Sequence, residues 1–151
     1  MQTETLPNLG HTLEFMRLLW SLAHGLQSRS KRMEAELGVT GPQRLVIRIL
    51  GRAPGASAGT LARAMCVHPS TLTGVLRRLE ARGLVEQKRD NGDGRRKLFV
   101  LTAAGRKLDG LQAGTAEAAV RRALGRLKAD EVGAATRVLQ LVADELDRQD
   151  R

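Results

Sequence analysis

The sequence predicts a mostly α-helical, α+β fold, and three observations lead there. Apolar residues recur at helical spacing over most of the chain, helix-capping signatures separate the runs, and only between Leu84 and Leu101 does the pattern turn strand-like. At 151 residues the length suits one ordinary domain, or one with an appendage.

Residues 9–37 read as one long helix, with Leu9, Leu13, Met16, Trp20 and Ala23 on one stripe and Phe15, Leu19, Leu22 and Leu26 on a second. A helix apolar on two faces needs two partners, and a second subunit supplies one of them. Gly38 fits the C-terminal stop. Thr40, Pro42 and Gln43 then form a capping box with proline in the first turn, opening a second helix that buries Leu45, Val46, Ile49 and Leu50. Arg52 to Ser57 reads as a loop, and Ser57 caps a short third helix carrying Leu61, Ala62 and Met65. Cys66 and Val67 fall in a tight turn. His68-Pro69-Ser70 opens a fourth helix in which Leu72, Val75, Leu76 and Leu79 share the buried face, while Ser70, Thr71, Thr73, Gly74, Arg77 and Arg78 lie outside or at the edge. Gly83 is its left-handed terminator.

Leu84–Arg89 and Arg95–Leu101 form a β-hairpin around the turn formers Asp90 to Gly94, its tip flanked by Lys88, Arg89, Arg95, Arg96 and Lys97. Thr102 caps a helix expected to run through Leu108, Leu111 and Ala118 to about Leu127. A last helix sets Val132, Ala135, Leu139, Val142 and Leu146 at steps of three and four, a seam suited to pairing with the first helix of its own or another subunit.

Charge locates the working surface. The 25 Lys and Arg exceed the 16 Asp and Glu by nine, and residues 60–107 alone hold eleven basic and four acidic side chains, a net +7. Residues 1–59 carry +3 and residues 108–151 carry −1. Such a concentration attracts a polyanion. With only Phe15, Trp20 and Phe99 as aromatic residues, the chain lacks the stacking platforms of single-strand and RNA readers, which leaves duplex DNA.

Two short helices joined by a tight turn and followed by a basic hairpin are the order of a winged helix-turn-helix. The major groove, about 12 Å wide, admits one helix and meets mainly its N-terminal half. Ser70, Thr71 and Thr73 are short hydrogen-bonding side chains placed there, Arg77 follows one turn on, and an arginine at a hairpin tip suits the minor groove. The chain then divides into an N-terminal dimerisation helix (1–40), a DNA-binding lobe (41–102, with the recognition helix about 68–82 and the two-stranded wing about 84–101) and C-terminal dimerisation helices (103–151).

Leu61-Ala-Arg63, His68-Pro-Ser-Thr-Leu-Thr73, Arg78-Leu-Glu-Ala-Arg-Gly-Leu84, Asp93-Gly-Arg95 and Leu101-Thr-Ala-Ala-Gly105 follow one another in this order. In these motifs and their spacing the sequence resembles the multiple antibiotic resistance regulator (MarR) family, over nearly its whole length. The resemblance implies a homodimeric repressor of transcription on a pseudo-palindromic operator, with Arg95 as the wing arginine of the minor groove and Asp93 as the acid that orients it. The DNA-contacting set becomes His68, Pro69, Ser70, Thr71, Thr73, Arg77, Arg78, Arg89, Asp93, Arg95, Arg96 and Lys97. Many members carry a larger, often basic residue where Gly74 stands. The resemblance further implies release by a small aromatic or phenolic ligand, with Arg17, Trp20 and His24 lining a crevice between the first helix and the lobe; packing in the core or dimer is the plainer role for Trp20.

Rival readings are weaker on the residues. No nucleophile elbow, phosphate-binding loop or HExxH stands in the sequence, so no enzyme is expected, nor any cofactor. His11, His24 and His68 lack an i, i+4 partner or a nearby cysteine, against a metal site. Cys66 invites a redox-sensor reading, but a small apolar residue packs in a helix-turn-helix turn, and nothing in the sequence makes this thiol reactive. A non-specific architectural DNA-binding protein is the more serious alternative. The N-terminal residues lack a secretory pattern, and no apolar run is long enough for a bilayer, so a cytoplasmic protein without membrane contact is expected.

Overall fold

A computed structural model describes residues 7–148; the N-terminal pentapeptide read for a secretory pattern lies outside them. Helix α1 spans Gly10–Leu37, α2 Gly41–Arg52, strand β1 Ala56–Ser57, α3 Ala58–Met65, α4 Pro69–Ala81, β2 Val85–Arg89, β3 Lys97–Leu101, α5 Ala103–Gly110, α6 Ala116–Leu124 and α7 Ala129–Asp147. The caps read from the sequence form. Thr40 Oγ1 accepts from the Gln43 amide while Gln43 Oε1 accepts from the Thr40 amide, and Ser57 and Thr102 accept from Thr60 and Gly105.

A single apolar core holds α2, α3, α4 and the sheet together through Val46, Ile47, Leu50, Leu61, Leu72, Leu76, Leu79, Val85 and Phe99, with Leu108 of α5 packed against it. Turn geometry fixes the close approaches. Gly83 takes φ +67°, after which Thr102 Oγ1 donates to its carbonyl and the Thr102 amide to that of Leu84, seating α5 beside the end of α4.

Two expectations are corrected. The wing is not a two-stranded sheet alone: Ala56 and Ser57, read as loop, pair antiparallel with Phe99 and Leu98 to give the order β1-β3-β2. A two-residue strand has no periodicity to detect, so only its partner reveals it. The helix expected from Thr102 to Leu127 is broken at Leu111–Thr115. Gly114 there takes φ +77° and Thr115 caps α6 by accepting from the Ala118 amide.

Candidate nucleic-acid interface

Helix α4 is turned by its buried face. Leu72, Val75, Leu76 and Leu79 are all buried, which fixes the opposite face outward. Its N-terminus is built by His68, whose Nδ1 accepts from the Ser70 amide at 3.2 Å and lies 2.7 Å from Ser70 Oγ. Accepting at Nδ1 assigns the ring proton to Nε2, a donor left for an outside partner. Thr73 Oγ1 donates to the Pro69 carbonyl at 2.9 Å, so its oxygen lone pairs are what it offers to a ligand. All twelve residues expected from the sequence to contact DNA are exposed. The space around Gly74 is open, so the smallest side chain leaves a gap in the middle of this face.

The wing places its cations by register. Arg89 stands opposite Lys97 and Lys88 opposite Leu98, which brings the basic residues of both strands to the tip. The tip is held by backbone bonds: Asp90 to Arg96 at 3.1 Å, and Arg96 to the Asp93 carbonyl at 2.9 Å. Asp93 Oδ1 accepts from the Arg95 amide at 3.1 Å, so it orders the main chain under Arg95 rather than gripping the guanidinium. Arg77, Arg78, Arg89, Arg95, Arg96 and Lys97 form no ion pair among the described residues. Their field is therefore directed to solvent.

A separate cavity of about 690 Å³ lies between α1, α2 and α6. Leu26, Met33, Leu45, Met65 and Val67 supply apolar wall, and Arg44, Arg48, Arg52, Arg121 and Glu117 the charged part. Arg44 is buried, and its Nε and Nη2 donate to Glu117 Oε1 at 2.8 and 2.7 Å. Arg48 reaches Asp109 Oδ1 at 2.6 Å and Glu117 at 3.5 Å. Partial burial pushes the Glu117 carboxyl up, but hydrogen bonds from Arg44 and its own backbone, with the charges of Arg44 and Arg48, hold it below the usual range. Sequence reading missed this cluster; its one signal was Arg44 at helical spacing from Ile47 on an otherwise apolar face.

Arg17, Trp20 and His24 are exposed on α1 and none lines that cavity; Arg17 pairs with Glu14, and Trp20 is 70% accessible. Cys66 is exposed, with φ +53° at the end of α3. Among the described residues no three His, Cys, Asp or Glu side chains are grouped to hold a metal, and no helix is long and apolar enough to cross a membrane.

The MarR family model matches residues 39–97. The chain is 33% identical over 123 residues, 82% of its length and 88% of the relative's, to the HTH-type transcriptional repressor Rv2887 of Mycobacterium tuberculosis. It is 35% identical over 106 residues, 70% of its length and 78% of the relative's, to the transcriptional regulator HosA of Escherichia coli. Among solved structures, the PcaV transcriptional regulator from Streptomyces coelicolor in complex with its natural ligand superposes with a TM-score of 0.70 at 28% identity, over 96% of this chain and 100% of that one.

Proposed function

The chain belongs to the MarR family, and from that premise we propose that it is a sequence-specific, double-stranded-DNA-binding transcriptional regulator acting as a homodimeric repressor. The observation that carries this reading is one lobe presenting both an exposed polar helix start, Ser70, Thr71 and Thr73, and a wing of cations around Arg95 that form no ion pair among the described residues. The first suits the major groove and the second the minor groove. His68, Pro69, Arg77, Arg78, Arg89, Asp93, Arg96 and Lys97 complete the contact surface.

The division into arm, lobe and arm at residues 1–40, 41–102 and 103–151 is supported by where apolar surface is left over. Leu13, Met16, Leu18, Trp20, Leu22 and Leu26 on α1, with Val138, Leu139, Leu141 and Leu146 on α7, are exposed in the single chain. That much apolar surface calls for a partner, and a second copy supplies the same faces. Trp20 belongs to that interface. Two-fold symmetry sets recognition helices about 34 to 36 Å apart, for half-sites one helical turn from each other. We place an effector in the cavity between α1, α2 and α6, whose arginines suit an acidic group and whose aliphatic walls suit an apolar body.

Genome-wide footprinting followed by competition at physiological salt tests the reading. A recovered site should outcompete random duplex by about a thousandfold or more. A ratio near one would instead establish the architectural alternative.

A further inference from the structure

We propose that Arg44 and Glu117 form an elbow lock, which fixes the direction in which α6 and α7 leave the DNA-binding lobe and so sets the separation of the two recognition helices. The proposal rests on the dimeric reading above. Arg44 stands on α2, is 2% exposed, and spends its whole guanidinium on the α5–α6 junction. Nη1 donates to the Leu108 carbonyl and Nη2 to that of Leu111, both at the end of α5, while Nε and Nη2 donate to Glu117 in the first turn of α6. One side chain thus binds the end of one helix and the start of the next. Arg48, a turn further along α2, repeats the pattern with Asp109 and Glu117.

Apolar packing holds these helices only in part. Among the described residues α6 and α7 fully bury no side chain; α6 meets α1, with Ala116, Ala118 and Ala119 half-buried, and the polar contacts at the elbow are what tie its first turn to α2. The link itself, Leu111 to Thr115, includes Gly114 at φ +77° and is no stiff spacer. A lever amplifies the geometry: α7 has 19 residues, about 28 Å of helix, and a rotation of about 10° at the elbow displaces its far end by about 5 Å. Removing one partner of a buried ion pair leaves the other charge unsatisfied, which drives a rearrangement. Glu117 and Arg44 also wall the cavity, so an occupant there touches the lock directly.

The protein carries its own reporter. Cys66 is exposed and immediately precedes the recognition helix, so a nitroxide attached to it in each subunit reports the spacing by pulsed dipolar spectroscopy. The full-length wild-type chain should give one narrow distance distribution. Glu117→Ala should shift or broaden it by several Å, and Glu117→Gln, which keeps one acceptor for Arg44, should do so less. Glu80→Ala, which removes a bond to Gln87 inside the lobe, should leave it unchanged. A distribution unaltered in both Glu117 variants, or altered equally by Glu80→Ala, would overturn the lock alone. Absence of any dipolar signal in the wild type would overturn the dimer, and the lock's stated role with it.

Discussion

Arg95 illustrates how a single side chain acquires a role from its surroundings. Its amide is held by Asp93 and its guanidinium is without an ion pair among the described residues, which supports the groove contact proposed for it. Arg95→Ala should weaken binding to the recovered site by about 1 to 3 kcal/mol in a titration at fixed salt; an unchanged affinity would remove it from the contact surface. Cys66 poses the opposite case, a non-glycine residue in left-handed backbone at φ +53°. Cys66→Gly relieves that strain at some entropic expense, and a net gain of about 0.5 to 1 kcal/mol is expected in urea denaturation. Glu117 links residue chemistry to pH. Because its carboxyl titrates lower in the folded chain than in the unfolded one, its contribution is complete above the ordinary glutamate range and fades as pH falls through the lowered value. The stability difference between wild type and Glu117→Gln should therefore be largest near neutrality and shrink below about pH 4. A difference independent of pH would show that the ionised carboxylate is not what matters.

Elements were legible wherever a cap and an apolar period agreed. The Thr40–Gln43 box started α2 where it was read, and Pro69 and Gly83 bracketed α4, because these signals act within one helical turn. Two features escaped that logic. Strand β1 exists through its pairing with β3, and the break between α5 and α6 follows from Gly114 and Thr115 acting together with Arg44, a residue about seventy positions earlier. Apolar period alone ran the two helices together. The seating of α5 offers a test at this scale: a Cβ on Gly105 would collide with the Leu84 carbonyl. Gly105→Ala must push α5 away from the turn after α4, and a loss of about 1 to 3 kcal/mol is expected by chemical denaturation.

For the whole molecule, the distribution of apolar residues matters more than their number. The buried core runs through residues 39–101 with Met33 of α1 beside it, while the rest of α1 and α7 leave leucines uncovered, Leu141 at 69% and Leu146 at 78%. Leu139→Glu, neutral if that face stayed in water, should weaken self-association at least tenfold if a second copy covers it, by burying an unpaired charge. Sedimentation across a concentration series reads the outcome, and an unshifted dimer would exclude this face from the interface.

What the sequence by itself determined was local: helix starts and stops, the buried and outward faces of α4, the hairpin and its cations, and the concentration of charge in residues 60–107. These rest on interactions within a turn or a strand pair, so neighbours in the chain suffice to specify them. The family motifs belong to the same stretch, and the family model, which matches residues 39–97, covers most of them. Only the tertiary structure decided the third strand, the elbow between α5 and α6, and the cavity beside it. Each depends on a group far away in sequence, above all on a buried arginine whose charge is tolerated because Glu117 and the carbonyls ending α5 happen to meet it in space.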